Sequence, residues 1–237
     1  SNPKDNLFFS EIRSASINHA KIAAFGSTKR PKMKLAEDEL LQNLIQSNAY
    51  TLTIVAKSWD FHVTDALNIT LEENLNLVYD TIAYCKDKGF EVFLDAEHFY
   101  DGFKANSDYA IKVLESAKKA GVDMLVLCDT NGGTLTHEIS SITQTVCSSF
   151  TTPIGVHHHN DAGVAVANGI AAIINGAISV QGTINGYGER CGNCDLTTLI
   201  PNIVLKLGYH CNAESALQHL TETSRYISEI ANLAHNE

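Results

Sequence analysis

The chain has 237 residues, long enough to bury one large α/β core. Hydrophobic residues make up 44% and charged residues 19%, which excludes an intrinsically disordered chain. A formal net charge of -10 without a basic stripe argues against nucleic acid and anionic membrane surfaces as partners, and leaves room only for a local basic pocket for a phosphorylated cofactor.

Six apolar runs predict strands, and a helical pattern follows each. The first is 21–26 (KIAAFG), followed by a helix over 36–47. The second is 51–58 (TLTIVAKS). Its helix runs from Thr70, whose hydroxyl forms a capping box with Glu73, to Gly89, with Leu71, Leu75, Val78, Ile82 and Cys85 as the apolar stripe. The third strand is 90–98 (FEVFLDAEH), and a helix after Ser107 carries Ile111, Leu114 and Ala117 and stops at Gly121. Strands over 122–130 (VDMLVLCDT), 153–160 (PIGVHHHN) and 177–185 (AISVQGTIN) follow, with helices over 136–149, 163–175, 195–207 and 213–234. The runs are mostly continuous rather than alternating, as in strands buried on both faces. A strand every 25–40 residues or so predicts repeated βα units, giving a doubly wound sheet or a barrel. Gly186, Gly188 and Gly192 miss the G-x-G-x-x-G spacing, so no dinucleotide fingerprint is present. No linker or low-complexity stretch divides the chain, and one domain over 1–237 is expected.

No run reaches membrane-spanning length and no signal-peptide pattern opens the chain. Six scattered cysteines do not form a disulfide framework, and a reducing, cytoplasmic location is expected. Asn68-Ile69-Thr70 matches a glycosylation acceptor, a pattern common by chance.

Polar residues collect at the C-terminal ends of the predicted strands: Ser27 and Thr28; Lys57, Ser58, Asp60 and His62; Asp95, Glu97 and His98; Asp129, Thr130 and Asn131; 157–161; and Asn185, Glu189, Arg190 and Asn193. In a (β/α)₈ barrel those ends form the catalytic face, so the bias favours a barrel. His157 and His159 share one side of a strand and present two imidazoles to a divalent metal, or are simply polar strand-end groups with His158 packed inside. Asp161 is placed to cap the following helix. Gly186 to Asn193 reads GYGERCGN, a bend that brings the Asn193 oxygen toward such a metal or is a plain glycine-rich turn. Cys191 and Cys194 form a lone C-x-x-C without the partners that zinc or redox chemistry requires. Glu97 and Thr130 end strands as a candidate acid/base and a candidate carboxylate-binding hydroxyl, or as ordinary capping groups.

Together these motifs resemble the metal-dependent barrel family that includes isopropylmalate, homocitrate and citramalate synthases and hydroxymethylglutaryl-CoA lyase. Its H-x-H-N-D motif matches His157, His159, Asn160 and Asp161, and its G-x-G-E-R-x-G-N motif matches Gly186, Gly188, Glu189, Arg190, Gly192 and Asn193. Glu97, Asp129-Thr130 and the Ser58…His62 pair match its strand-end features, and the resemblance covers essentially the whole chain. The segments FGSTKR, KSWDFHV, DAEHF, LCDTNGG and QGTINGYGERCGN are most like the citramalate synthase branch.

The resemblance implies an acyltransferase that condenses acetyl-CoA with a 2-oxo acid, pyruvate, to citramalate for isoleucine synthesis, with 2-isopropylmalate synthase the near alternative. It implies a divalent metal (Zn, Mn or Mg) on His157, His159 and Asn193, with Thr130 on the substrate carboxylate, Glu97 at the acetyl methyl group and His62 in the same mouth. It further implies a homodimer of the full-length protein. A lyase of the family would carry a Gly-Cys loop where this chain has Thr183-Ile184-Asn185-Gly186. The opening Ser1-Asn2-Pro3-Lys4-Asp5 resembles the loop after the family's second strand. The expected fold is therefore a (β/α)₈ barrel without its first two βα units, six strands being present. The family's first-strand Arg-Asp pair and its C-terminal regulatory region would also be lacking, and the 237-residue chain alone is expected to be inactive.

Overall fold

The computed structural model describes residues 3–12 and 14–234. The chain divides into two compact units, one up to Leu127 and one from Cys128. Six strands alternate with helices along the chain, the α/β class that the sequence predicts.

In the first unit, β1 (Ala23–Ser27), β2 (Thr51–Lys57), β3 (Glu91–Glu97) and the start of β4 (Met124–Asp129) pair in parallel. The β2–β3 register sets Lys57 beside Glu97 at the C-terminal ends. Leu52, Ile54, Val92, Leu94 and Leu125 are fully buried, as continuous apolar runs require. β1 departs from that expectation: its residues alternate in exposure and Phe25 is 67% exposed, since among the described residues of this unit β1 is paired on one side.

α3 (Leu71–Asp87) begins with the expected capping box: Thr70 Oγ1 accepts from Glu73 N, and Glu73 Oε2 accepts from Thr70 N. Its buried face is Asn74, Leu77, Val78, Thr81, Ile82 and Cys85, so the stripe is rotated from the predicted one and Leu71 and Leu75 are only half-buried. Two polar residues occupy that face because both find partners. Asn74 Nδ2 donates to the Lys57 carbonyl at 2.9 Å and to Tyr109 Oη at 2.8 Å, and Thr81 Oγ1 accepts from Lys29 N at 3.0 Å. α5 (Ser107–Lys119) packs on α3 through Tyr109, Ala110, Val113, Leu114 and Ala117. α2 (Glu39–Gln46) is capped by the buried Asp38.

Three elements were not foreseen. α1 (Pro3–Ile12) is a helix where the opening residues resemble a loop. A π-helical turn covers His62–Ala66, and α4 (Phe99–Ala105) starts directly after His98, which adopts the left-handed conformation (φ 55°). A non-glycine residue in that region is uncommon, and it marks the end of β3 as a place where backbone geometry is specified closely.

In the second unit, α6 (Thr136–Ser149) occupies the predicted span and packs on α7 (Ala165–Ile174). β5 (Ile154–His158) pairs in parallel with β6 (Ser179–Gln181), opposing His157 and Gln181. β6 is much shorter than the predicted run over 177–185. Beyond Gln181 the chain at 194–196 comes alongside: Thr183 pairs in parallel with Asp195, and a Cβ on Gly182 would lie 2.5 Å from the Cys194 carbonyl oxygen. The backbone turns instead through a 3₁₀ segment, Ile184–Gly186. The helix predicted over 195–207 is split at Pro201, which donates no backbone hydrogen bond, into α8 (Leu196–Pro201) and a π-helical turn, Asn202–Lys206. The last predicted helix is a 3₁₀ segment, Glu214–His219, followed by α9 (Leu220–Ala231). No helix among the described residues is long and apolar enough to cross a membrane.

Candidate active site

Of the residues singled out from the sequence, Glu97 and His62 lie in the first unit. Lys57 and Glu97 form a direct ion pair across the β2–β3 register, with side chains 30% and 25% exposed. Ser58 Oγ donates to the Glu97 carbonyl at 2.7 Å, and Asn74 holds the Lys57 carbonyl, so both backbone ends are tethered. Together with Lys29, Arg30 and Pro31 the pair lines a cavity of about 170 Å³. His62, on the π-helical turn, meets the His98 ring edge-on at 4.5 Å between centroids, and Trp59 lies 4.8 Å from it. His98 Nδ1 is 3.2 Å from Asp101 Oδ2. Burial holds the His62 imidazole below the usual histidine range. His98 and Lys57 push the same way, and Glu97 and Asp101 oppose them. His62 is therefore a neutral proton donor and acceptor at neutral pH, and its buried Nδ1 makes no hydrogen bond to a protein group.

Thr130, His157, His159 and Asn193 lie in the second unit. The two histidines lean together from β5, with 3.3 Å between their Nε2 atoms and 5.1 Å between ring centroids. Between them in sequence, His158 is fully buried, and burial pushes its imidazole down to about 3, with the flanking histidine charges assisting. His157 Nδ1 lies 2.8 Å from Gln181 Oε1. The amide oxygen only accepts, so Nδ1 carries the proton and the Nε2 lone pair faces His159. His159 is held below the ordinary range by burial first, then by His157 and Arg190. Asn193 sits opposite His159 in an isolated antiparallel bridge, and its buried Oδ1 has no hydrogen-bond partner. A Cβ on Gly188 would lie 3.0 Å from that amide, so glycine there lets the loop close on Asn193.

Two neutral imidazole nitrogens at 3.3 Å repel unless a proton or cation lies between them, and nitrogens sharing one cation at about 2.1 Å stand about 3.0–3.4 Å apart. The facing Nε2 atoms and the orphaned buried amide oxygen thus fit part of a divalent metal shell. Among the described residues no group of three or more His, Cys, Asp or Glu side chains is placed to hold a metal.

Sequence reading missed a clasp around this centre. Arg190 binds both carboxylate oxygens of Asp161 (2.8 and 3.0 Å), the Thr130 carbonyl (2.7 Å) and Glu189 (2.9 Å). The guanidinium holds the Asp161 carboxyl below its usual range. Asp161 is accordingly not the cap of α7. Asn160 Oδ1 takes that part, accepting from Ala165 N at 3.0 Å. The signal was available: Asp161 and Arg190 are opposite charges in the two motifs predicted to converge. Thr130 precedes a loop closed by Thr134 Oγ1, which donates to the fully buried Asp129 at 2.9 Å.

Cys191 is exposed, whereas Cys194 is buried beside Ala165, Leu199 and Ile203, where burial pushes its thiol up to about 12. The two thiols thus sit in different environments, and the buried Cys194 is not a ready nucleophile. In the full-length protein Cys194→Ala is expected to keep most of its turnover and to lose about 1 kcal/mol of stability through the small void left in the core. A steady-state assay beside a denaturation curve checks both; a turnover loss beyond about tenfold, or about 1.4 kcal/mol of barrier, would reveal a chemical role.

Parallel strands whose C-terminal ends carry histidines, acids and a glycine-rich loop define an α/β fold with a candidate site at its strand ends. The chain belongs to the HMGL-like family, which it matches over residues 8–227. It is similar to an (R)-citramalate synthase of Aquifex aeolicus, at 52% identity over 98% of this chain and 44% of that protein. A 2-isopropylmalate synthase of Sulfurisphaera tokodaii is 32% identical over 82% of this chain and 50% of that protein. The chain spans about half the length, or less, of these curated relatives. A hydroxymethylglutaryl-CoA lyase from Pseudomonas aeruginosa matches in structure with a TM-score of 0.77 at 15% identity, over 98% of this chain and 76% of that chain. That likeness is one of fold: the six strands here correspond to strands of a (β/α)₈ barrel.

Proposed function

We propose that the protein carrying this chain joins acetyl-CoA to pyruvate in a Claisen-type condensation, giving (R)-citramalate and free CoA, and that residues 1–237 are part of its barrel catalytic domain. The 52% identity to an (R)-citramalate synthase over nearly the whole chain carries this reading. The facing Nε2 atoms of His157 and His159 support it independently. In the proposal His157 and His159 bind a divalent metal through Nε2, and Asn193 does so through Oδ1. Bound there, the metal supplies Lewis-acid polarisation of the 2-oxo acid carbonyl. Gln181 keeps the proton on His157 Nδ1 and thereby the lone pair on Nε2. The Thr130 hydroxyl donates to the substrate carboxylate, and Arg190 fixes the Thr130 backbone. Glu97 accepts a proton from the acetyl methyl group, and the carbon so freed forms the new bond to the keto carbon, whose oxygen takes up a proton. Water then cleaves the thioester and releases the thiol of CoA. His62, neutral at physiological pH, exchanges protons in the same chemistry.

Thiol release by the full-length protein tests the reading. Pyruvate is expected to give a higher kcat/KM than 2-oxoisovalerate. Their side chains differ by two carbons, and a pocket shaped for one discriminates by about 1–3 kcal/mol per methylene. A higher value for 2-oxoisovalerate would make the protein a 2-isopropylmalate synthase, and CoA-independent turnover would remove it from both.

A further inference from the structure

The C-terminal helix α9 is joined to the glycine-rich loop by a set of polar contacts that the chemistry above does not use. Asn185 stands at the centre. Its Nδ2 donates to the Ser224 carbonyl at 2.9 Å and to Ser228 Oγ at 3.1 Å, and Ser224 Oγ donates back to its Oδ1 at 2.5 Å. Tyr187 Oη lies 2.9 Å from Ser228 Oγ on the same face. Ser224 and Ser228 are one helical turn apart and nearly fully buried, at 9% and 2% exposure. Buried hydroxyls tied to one amide form a network in which each member fixes the others.

The network fixes more than a helix. Asn185 has φ 63°, a left-handed conformation that asparagine tolerates because its amide bonds locally. The residue that follows, Gly186, gives its carbonyl to Asn193 N at 2.9 Å. From α9 to the orphaned Asn193 amide oxygen there are three links: the serines to Asn185, Asn185 to the Gly186 carbonyl, and that carbonyl to the Asn193 backbone. Thr183 Oγ1 donates to the Tyr187 carbonyl at 2.6 Å and closes the same turn from the strand side.

We propose that Asn185, Ser224 and Ser228 are positioning residues for the metal centre: α9 holds the 184–187 turn in the one conformation that aims Asn193 Oδ1 at the cation shared by His157 and His159. This rests on the assignment of Asn193 as a metal-binding oxygen. Residues that support metal ligands from behind typically govern about tenfold or more of the affinity.

The test uses the full-length protein with Mn²⁺ for affinity and Co²⁺ for its ligand-field spectrum. Asn185→Gly deletes the amide and keeps the left-handed backbone accessible, while Ser228→Ala removes the hydroxyl from the helix side. Each is expected to weaken Mn²⁺ binding about tenfold and to shift the Co²⁺ bands, and the double variant is expected to be no weaker than either single one, because one latch is lost in each case. Tyr187→Phe, which removes only an outer hydroxyl, is expected to shift both readouts in the same direction by two- to threefold or so, and decides the matter if the other variants do not fold. A purely structural role would lower the melting temperature and leave the Mn²⁺ affinity and the Co²⁺ spectrum unchanged. If that happens while Asn193→Ala weakens binding, the latch is refuted and the ligand assignment stands. If Asn193→Ala leaves binding untouched, the ligand assignment fails and the latch fails with it.

Discussion

Full-length protein is expected to purify with one divalent metal per chain, and the variant with both His157 and His159 replaced by alanine is expected to purify without it. The expectation follows from the two Nε2 atoms facing each other at 3.3 Å and from Gln181 fixing the proton on the far nitrogen of His157. Removing both imidazoles leaves the Asn193 amide oxygen as the remaining donor of the set among the described residues, and a dication loses two nitrogen ligands that water must replace. Turnover should fall by about a thousandfold or more, because polarising a carbonyl by a metal is worth several kcal/mol of barrier and each 1.4 kcal/mol or so is tenfold. Elemental analysis of the purified proteins gives the stoichiometry. Equal metal content in the two would sink the assignment. Retained metal together with lost turnover would move the histidines from ligands to substrate contacts.

The parity of His157 and His159 was legible because a strand has a fixed period of two, so that local sequence decides which side chains share a face. The strands of the first unit were legible for a related reason: a strand covered on both faces is a continuous apolar run, and 51–58 and 90–98 are that. The capping box of Thr70 and Glu73 lies within four residues and needs no tertiary information. What escaped depends on pairing between distant residues. The Lys57–Glu97 pair is set by the β2–β3 register over a separation of 40 residues. Arg190 reaches Asp161 across 29 residues, and Asn185 reaches Ser224 across 39. The rotation of the α3 face has the same origin, since Asn74 and Thr81 are tolerated inside only because Tyr109, the Lys57 carbonyl and the Lys29 amide are there to meet them. Apolar periodicity alone chooses Leu71 and Leu75 in their place. The shortening of β6 likewise goes with the close approach of the chain at 194–196, which no local pattern in AISVQGTIN announces.

Most of the polar groups just named fix backbone positions rather than offer free functional atoms. Asn74 holds the carbonyl of Lys57, Ser58 the carbonyl of Glu97, Arg190 the carbonyl of Thr130, and Asn160 the first turn of α7. Ser58, Arg190 and Asn160 lie in loops that follow strands, and Asn74 reaches the end of β2 from α3. Strand ends carry side chains whose placement to within about half an ångström decides whether they act, and backbone anchors of this kind supply that precision.

Glu97→Gln gives the largest effect expected of any single substitution here. Glutamine keeps the shape and polarity of the side chain and removes its capacity to take a proton, so a general base at this position should be lost with a fall in kcat of about 10²–10⁴-fold. The KM for pyruvate and the metal content should change little, because neither depends on a proton acceptor at 97. The competing account is that Glu97 is only the partner of Lys57, an ion pair with both side chains partly exposed. Such pairs contribute about 1 kcal/mol or less, and losing either member would then lower stability slightly and leave turnover in place. Lys57→Met separates the two accounts. If Glu97 is the base, Glu97→Gln abolishes turnover while Lys57→Met retains a measurable part of it, and exchange of the acetyl methyl hydrogens with solvent deuterium disappears only in the former. If Glu97→Gln keeps more than about a tenth of the turnover, a loss under about 1.4 kcal/mol of barrier, then proton abstraction belongs to another group, and His62, held neutral by burial and unpartnered at Nδ1, is the next to be replaced.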